Sequence, residues 1–320
     1  MSIDPRIAQA FEADNGFPLE PHLLVLALMG SHSHGTYLPP EEPDAVDDID
    51  LMGFVVPPLP YHIGLPRWEH WRLQVDELDV VIYSLDKAVR LLLKSNPNIV
   101  GLLWLRDNEY VHRHPAFDAL QSQRDIFSSQ EAADAFAGYA YDQLKHMEAF
   151  DIERMAEYEA LTGVIRLKGP LSEVLEADNA KLVHIARNWG IEIDSLKRFR
   201  KLHHEHFSGY MGEKRKAMVR KYQYDVKNAA HLIRLLRMGI EFLETGVLQV
   251  YRTTDADELK AIKRGGWTLE QVKGTAEGLF SRIEDARARS PLKPAPDQAA
   301  ADSLLMATHA KVLGLRTAGE

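Results

Sequence analysis

Two aspartates one residue apart, Asp48 and Asp50, have the type and spacing of a metal-binding pair. They precede a mostly apolar run over residues 51–56 that predicts a strand, and strand residues two apart point to the same face. Carboxylates held side by side repel each other unless a cation lies between them, and a divalent ion with oxygen ligands commonly fills that role. The pair therefore predicts a Mg²⁺ site, with Mn²⁺ as the alternative ion.

A glycine-serine turn precedes this pair in the chain. The apolar run over residues 23–29 predicts a buried strand, which ends at Gly30 and Ser31 in a loop of small, polar and proline residues. Backbone amides in such a turn can approach phosphate oxygens. We therefore expect Gly30 and Ser31 to hold the phosphates of a nucleoside triphosphate (NTP) whose Mg²⁺ is bound by the aspartates. His32, in the same loop, is expected to contact the triphosphate or the acceptor.

The order of these features resembles the signature of the DNA polymerase beta nucleotidyltransferase superfamily. Three stretches match one branch more closely, the predicted RNA-repair-pathway polymerase-beta-like proteins: GSHSHGT, DVVIYSLDKAVRLLLKSNPNIVGLLW and KNAAHLIRLLRMGIEFLETG. The resemblance covers most of the chain and implies a third metal-binding carboxylate on a later strand. Asp79, which leads a β-branched run, is our choice for that ligand. Glu77 lies on the same side of the predicted strand and is the reserve.

The loop between Ser31 and Asp48 is longer than the common spacing of the superfamily. It carries an acidic, proline-rich insert, PPEEPDAVD. This insert leaves Asp47 as an alternative to Asp48 for the first ligand, but only Asp48 has a second aspartate two residues on.

Composition limits the classes of protein that this chain can represent. It has 320 residues, of which 45% are hydrophobic, and it contains no cysteine, which excludes disulfides, thiolate zinc sites and cysteine nucleophiles. The polar, acidic N-terminus does not fit a secretory signal, and no apolar run approaches the roughly 20 residues of a membrane span. We therefore predict a cytoplasmic protein without a membrane partner. The net charge of −9 disfavours a protein that coats nucleic acid, but it allows a local basic groove.

The elements that must position these residues predict an α+β fold. An N-terminal nucleotidyltransferase domain, residues 1–128, would hold a mixed sheet with helices, and residues 57–74 are predicted to form a loop in which Trp68 and Trp71 pack. A helix is predicted over residues 85–93 and a short one within 112–127. A mostly helical domain, residues 129–320, would close the nucleotide cleft. Its predicted helices span 129–160, 174–189, 214–245, 255–264 and 268–288, with a last short one near 300–313.

A basic stripe runs along the predicted helix 214–245. Arg220, Lys227, His231 and Arg234 fall within about 60° of one another on a helix, opposite an apolar face. Acids that would pair with them locally are nearly absent, since Asp225 lies off the stripe. The resemblance places the helical domain against the carboxylate cleft, which implies that Lys227 and Arg234 bind phosphate with His231 as a hydrogen-bonding neighbour. The alternative is a surface helix that neutralises nearby acids.

A second basic candidate is the segment 209–216, GYMGEKRK. Two glycines beside an aromatic residue and three cations suit the phosphates of a nucleotide or an RNA backbone. A loop that merely begins a helix is the alternative reading.

The resemblance implies Mg²⁺-dependent transfer of a nucleoside monophosphate (NMP) from an NTP to an acceptor hydroxyl, with release of pyrophosphate. Asp48, Asp50 and Asp79 would be the catalytic and metal-binding residues. The expected acceptor is an RNA end; a protein hydroxyl and a small molecule are the alternatives. A catalytically silent nucleotide-binding regulator is the rival outside the enzymes. Neither the preferred base nor the oligomeric state can be predicted.

Overall fold

The computed structural model describes residues 3–42, 45, 48–148, 152–204 and 213–315. By their contacts the residues form two compact units, one of Met1–Asp142 with Ala230–Glu320 and one of Gln143–Ala229. The C-terminal helices therefore share a unit with the N-terminal sheet. The predicted boundary near residue 128, which separates two domains by role, stays a prediction.

The first unit contains a five-stranded mixed sheet with the order β3-β4-β2-β1-β5. Strand β1 is antiparallel to both β2 and β5, β4 is parallel to β2, and β3 is antiparallel to β4. Nearly every residue of β1 is buried, which its unbroken apolar sequence explains. The prediction of an α+β chain with an N-terminal mixed sheet is confirmed. The strands are β1 Leu23–Leu28, β2 Ile49–Val55, β3 His70–Val75, β4 Leu78–Ser84 and β5 Tyr110–Arg113.

Both edge strands were absent from the sequence prediction. Strand β3 lies in the segment predicted as a loop, and β5 takes up the start of the segment predicted to hold a short helix. Their side chains are mostly partly or fully exposed, as befits edges of a sheet. Neither strand is a continuous apolar run like β1, although polar and apolar residues alternate along β3 as in a half-buried strand. Strand β3 is joined to β4 by a two-residue turn in which Asp76 has a φ of 50°.

An aromatic cluster packs helix α1, Pro5–Asn15, against the sheet. The rings of Phe11 and Trp71 meet edge to face with centroids 5.2 Å apart, and Phe11 contacts Trp68 in the same manner at 5.8 Å. Both indoles donate hydrogen bonds to side chains at the end of α1: Trp71 to Asp14 at 2.8 Å and Trp68 to Asn15 at 2.6 Å. The two tryptophans are packing residues, as predicted.

The remaining helices of the first unit lie before and after the second unit in the chain. Helix α4 begins where Ser84 accepts a hydrogen bond from the backbone N–H of Lys87 at 3.2 Å, as expected for a cap. No helix in the described part of the chain combines the length and the apolar character that crossing a bilayer requires. These helices are α2 Gly30–Ser33, α3 Pro60–Ile63, α4 Leu85–Leu92, α5 Pro97–Val100, α6 Phe117–Ser122, α14 Ala256–Lys263, α15 Leu269–Arg289 and α16 Gln298–Leu313, while α7 Ala132–Glu148 and α13 Val226–Thr245 each belong to both units.

The second unit is built on a separate helical core around Leu182, Leu196 and Phe199. The helix predicted over 129–160 corresponds to α7, which reaches Glu148, and to a helix that begins at Ile152. Residues 149–151, between the two, lie outside the described residues. The other helices of this unit are α8 Ile152–Arg166, α9 Leu171–Leu175, α10 Asn179–Trp189, α11 Ile193–Leu202 and α12 Glu213–Tyr222.

The single helix predicted over 214–245 is wrong. Helix α12 ends at Tyr222, and Gln223 has a φ of 68°, which an α-helix does not accommodate. Asp225 then accepts hydrogen bonds from the backbone N–H groups of Lys227 and Asn228, both at 3.1 Å, and so caps the start of α13. The acid that the sequence placed off the basic stripe is the residue that starts a new helix.

Candidate active site

Asp50 and Asp79 lie directly opposite each other on the neighbouring parallel strands β2 and β4. Adjacent strands are about 4.8 Å apart, and paired residues of parallel strands project from the same face, so the two carboxylates share one patch of the sheet. Both residues are second in their strands. Asp48 lies one residue before β2 and is exposed, and Asp47 lies outside the described residues.

Glu77, the reserve for the third carboxylate, occupies the turn before β4. Its carbonyl accepts a hydrogen bond from the backbone N–H of Ile49 at 2.8 Å, which extends the pairing of β2 and β4 by one step. Its backbone therefore helps to fix the register that sets Asp79 opposite Asp50.

Gly30 makes room for the carboxylate of Asp50. Its φ of 59° lies in the left-handed region, and a Cβ atom at this position would overlap Oδ2 and come within 2.7 Å of Cγ of Asp50. The backbone N–H of Met29 also donates to the carbonyl of Asp50 at 2.8 Å. Only glycine satisfies both the conformation and the close approach, so the glycine-serine turn is built onto the second aspartate.

Ser31 is buried, and its hydroxyl has no hydrogen-bond partner within the described residues. A buried hydroxyl without a partner lowers the free energy of unfolding, and a hydrogen bond to a ligand oxygen would restore that loss. The loop itself is held by its backbone: Thr36 N–H donates to Ser31 O at 2.9 Å and His34 N–H to Gly30 O at 3.2 Å. The ring of His32 lies against Tyr37 with centroids 3.9 Å apart.

Arg72 of β3 binds Asp79 through two hydrogen bonds. Its Nε lies 3.0 Å from Oδ1 and its Nη2 lies 2.6 Å from Oδ2 of Asp79. These hydrogen bonds, together with the charge of Asp79, raise the pKa of Arg72. Sequence reasoning missed this residue because β3 was read as a loop. Had the strand been recognised, its pairing with β4 would have placed Arg72 near Asp79, since Gln74 is the residue opposite Asp79.

Three buried cations, Arg234, Arg252 and Lys263, adjoin the loop that follows Gly30. The backbone N–H of Arg252 donates to His34 O at 3.1 Å, and Lys263 Nζ donates to Thr36 O at 2.9 Å. Arg234 shares this neighbourhood, because its charge adds to the effect of burial in holding the pKa of His34 well below its ordinary range. Sequence reasoning identified Arg234 but neither of the other two.

Arg234 differs from the other buried arginine in its partners. Arg252 forms ion pairs with Glu241 and Asp255, whereas no carboxylate in the described part of the chain lies within ion-pair distance of Arg234. Its Nη1 contacts only Met238 Sδ, at 3.2 Å. Burial lowers the pKa of Arg234 to about 10, with the charge of Arg252 acting in the same direction. A buried cation without a carboxylate is costly, and a bound anion would offset that cost.

The residues of the predicted basic stripe do not lie on one helix. Arg220 lies on α12 and pairs with Glu159, while Arg234 is buried rather than displayed on an open face. His231 is partly exposed on α13, one turn before Arg234. Lys227 belongs to the second unit, so its part in the site stays a prediction.

The second basic candidate falls partly on residues 205–212, which lie outside the described residues. One of its cations, Arg215, is bound within its own unit: its Nη2 lies 2.8 Å from the carboxylate of Asp225 and also donates to Asn228 at 2.6 Å. Arg215 therefore has a structural role in positioning the start of α13.

A cavity of about 260 Å³ lies along the later part of α13. Neither Asp50 nor Asp79 lines it. Four of its charged residues pair with one another: Arg237 with Asp255 at 3.0 Å, and Arg252 with Glu241 at 2.5 Å. Glu244 and Arg282 also line the cavity, and neither has an ion pair within the described residues. The cavity therefore offers one uncompensated cation, in a lining that also holds three carboxylates.

The model of a family described as "RlaP: RNA repair pathway DNA polymerase beta family" matches residues 6–168, half of the chain. The chain belongs to this family. It is a nucleotidyltransferase, and the resemblance found in the sequence is confirmed. The matched range contains all five strands, and with them Gly30, Asp50, Arg72 and Asp79, whereas Arg234 lies beyond it.

No curated protein matches this chain. The solved structures include a nucleotidyltransferase-like protein from Exiguobacterium sibiricum 255-15, which is similar at 10% identity with a TM-score of 0.25. The likeness covers 96% of this chain and 77% of that protein.

Proposed function

We propose that this RlaP-family nucleotidyltransferase moves an NMP from an NTP to a hydroxyl at an RNA end, in a reaction that requires Mg²⁺. The observation that supports it most is the pairing of Asp50 with Asp79 across β2 and β4, with Gly30 against Asp50. This arrangement joins oxygen ligands for a divalent ion to a turn suited to phosphate. The predicted cytoplasmic location is part of this proposal.

The acidic residues fit a hard divalent ion. Asp50 and Asp79 offer carboxylate oxygens from one face of the sheet, and Asp48 is exposed one residue before β2, from where it would supply a third ligand. Oxygen ligands of this kind suit Mg²⁺, with Mn²⁺ as the alternative. When bound, the ion would make the acceptor hydroxyl more acidic and offset charge on the phosphates.

The protein's own groups would bind and orient the triphosphate. The unpartnered hydroxyl of Ser31 and the backbone of Gly30 would donate to phosphate oxygens, with His32 alongside. Arg234, buried and without a carboxylate, would offset the negative charge that develops on the leaving pyrophosphate, with His231 as a neighbouring donor. Lys227 is proposed for the same role from the start of α13.

One observation favours a second candidate, a nucleotide-binding regulator without turnover. Arg72 donates a hydrogen bond to each carboxylate oxygen of Asp79, so a cation already offsets the charge of this proposed metal ligand. In an active enzyme Mg²⁺ would either use the remaining lone pairs of Asp79 or displace one of these hydrogen bonds. In a silent regulator Arg72 would keep both.

The test is incubation of the full chain with each α-labelled NTP, Mg²⁺ and a pool of RNA. Label entering RNA supports the proposed acceptor, and label entering protein or a small molecule replaces it. Tight NTP binding without release of pyrophosphate would support the regulator.

The matched variants are Asp50→Asn and Asp76→Asn. Asp50→Asn should reduce transfer roughly 100-fold or more, because it removes a metal ligand without changing side-chain shape. Asp76→Asn is the control: it lies in the turn between β3 and β4, its φ of 50° suits asparagine, and its partner Arg6 is a surface residue. Transfer that survives Asp50→Asn unchanged would refute the metal assignment.

A further inference from the structure

Two histidines and an aspartate from three distant parts of the chain meet in the first unit. They are His62 of α3, Asp86 of the first turn of α4 and His309 of α16, and their ligand atoms all lie within 4.8 Å of one another. Asp86 Oδ2 is 3.7 Å from Nδ1 of His62 and 3.2 Å from Nε2 of His309. The three side chains are partly buried, so an ion from solvent could reach the cluster.

A hydrogen bond on the side of each ring that faces away from Asp86 fixes the tautomer of each imidazole. Nε2 of His62 lies 2.8 Å from the carbonyl of Pro57, and Nδ1 of His309 lies 2.9 Å from the carbonyl of Leu305. A carbonyl can only accept, so these two nitrogens carry the protons. In the neutral rings, the nitrogens that face Asp86 are therefore lone pairs.

Two lone pairs and a carboxylate that face one another repel unless a proton or a metal ion lies between them. Histidines that bind metals characteristically donate their other N–H to a carbonyl or carboxylate, which is the arrangement at both rings here. In a tetrahedral zinc site with ligand distances of about 2.1 Å, neighbouring ligand atoms lie about 3.4 Å apart. The two separations from Asp86, 3.2 and 3.7 Å, bracket that value, and all three ligand atoms lie within 4.8 Å of one another.

The cluster is distinct from the acidic residues proposed for Mg²⁺. Asp50 and Asp79 lie at the start of β2 and β4, whereas Pro57 and Asp86 each lie two residues beyond the ends of these strands. Since a strand advances about 3.3 Å per residue, the length of β4 from Asp79 to Ser84 sets the two sites about 16 Å apart. Their ligands also differ, because nitrogen ligands suit borderline transition metals better than they suit Mg²⁺.

We propose that His62, Asp86 and His309 bind a divalent transition metal ion of the zinc type, with water completing the coordination. The ion would join α16, near the end of the described chain, to the segments that follow β2 and β4. It would thereby stabilise the unit that carries the nucleotidyltransferase sheet, without a direct part in transfer. The alternative occupant is a proton, which would make His309 and Asp86 a simple ion pair.

The experiment measures Zn²⁺ binding to the full chain, without a histidine tag and after removal of metal by a chelator. Calorimetric titration should give a single tight Zn²⁺ site, and the midpoint of thermal unfolding should rise by roughly 5 °C at a hundredfold excess over the Kd. Co²⁺ in place of Zn²⁺ should give visible absorption bands typical of tetrahedral coordination. The chain has 14 histidines, so weaker additional binding must be separated by variants.

His62→Gln and His309→Gln should each weaken the tight site by at least tenfold, roughly the lower bound for loss of a ligand's support. His70→Gln, on the exposed edge strand β3, and Asp50→Asn should leave it unchanged. Equal Zn²⁺ affinity in wild type and in both ligand variants, or no rise in the unfolding midpoint of wild type, would overturn the proposal. If one histidine variant fails to fold, Asp86→Asn takes its place with the same expected loss of Zn²⁺ affinity, and loss of transfer alone bears only on the proposed function.

Discussion

Asp50 and Asp79 belong to two strands that are hydrogen-bonded neighbours, whereas Arg234, Arg252 and Lys263 come from three separate segments after residue 230. We refer to the first set as the acidic pair and to the second as the buried cations. Both adjoin the loop that begins at Gly30. The acidic pair is set by strand register and by one glycine, while the buried cations are set by tertiary packing.

The acidic pair and the buried cations should therefore tolerate substitution differently. A sheet register holds the acidic pair rigidly, so a single added methyl group at Gly30 should disrupt the pair directly. Among the buried cations, Arg252 has carboxylate partners, whereas Arg234 has none within the described residues. Removing Arg252 should therefore lower stability, and removing Arg234 should weaken NTP binding.

Gly30→Ala should have the largest effect on transfer. The added Cβ would overlap the carboxylate of Asp50 at a φ that alanine adopts poorly, so we expect transfer to fall roughly 100-fold or more through displacement of Asp50. Gly138→Ala in α7 is the matched control, because a Cβ there would meet no atom within 4 Å and alanine favours the helix. Comparing rates under saturating NTP gives the result. A rate within twofold of wild type would show that Gly30 does not position the acidic pair.

Arg252→Met and Arg234→Met should separate the two kinds of buried cation. Removing Arg252 leaves Glu241 without its ion pair and Asp255 with Arg237 as its one remaining described partner, and should lower the free energy of unfolding by about 3 kcal/mol. Removing Arg234 leaves no described carboxylate unpaired, so stability should hold or rise, while the KM for NTP rises at least roughly tenfold.

Urea unfolding and NTP kinetics on both variants measure this difference. A loss of stability in Arg234→Met as large as that in Arg252→Met would mean that Arg234 is a structural cation. An unchanged KM in a stable Arg234→Met variant would remove it from the phosphate site.

How far the sequence could predict the site follows from the same contrast. The β-branched run after Asp79 and the apolar runs around Gly30 and Asp50 have local patterns, so β1, β2 and β4 and the pairing of Asp50 with Asp79 were within reach. Arg72 was missed because its short strand follows a segment rich in proline and was read as part of that loop, although Trp71, Leu73 and Val75 alternate with polar residues as in a half-buried strand.

The helical half shows where local pattern fails. The periodicity of apolar residues does not reveal the break at Gln223, because one residue with a positive φ does not change the spacing of apolar residues on either side of it. The predicted stripe therefore joined Arg220 to residues of a different helix. Arg252 and Lys263 gave no signal, since their neighbourhood with His34 depends on contacts across more than 200 residues.

His34 gives a pH test of the buried cations. Burial, followed by the charge of Arg234, holds its pKa well below the ordinary range, so the folded chain stays unprotonated where the unfolded chain, with a pKa of about 6.5, takes up a proton. The free energy of unfolding should therefore decrease as the pH falls through about 6.5, by about 1.4 kcal/mol between pH 7.5 and 5.5.

Urea unfolding at both pH values measures this loss. His34→Gln should remove that part of the pH dependence, whereas His70→Gln, at an exposed position, should retain it. An identical pH dependence in wild type and His34→Gln would show that His34 takes up its proton equally in both states.

Arg72→Gln should have the smallest effect, and it tests the acidic pair from the opposite direction. Arg72 holds Asp79 through two hydrogen bonds but is largely exposed, and exposed ion pairs contribute less than about 1 kcal/mol. If Asp79 binds Mg²⁺, removing this competitor should tighten the apparent Mg²⁺ affinity by up to about fivefold.

Arg113→Gln on β5 is the control, because it removes a comparable ion pair, with Asp118, at the opposite edge of the sheet. Mg²⁺ titration of transfer, at saturating NTP, separates the two variants. Weaker Mg²⁺ affinity in Arg72→Gln would mean that the arginine orients Asp79 for the ion instead of competing with it. Equal affinity in all three proteins would place Asp79 outside the metal site, and the acidic pair would then bind the ion through Asp50 with Asp48.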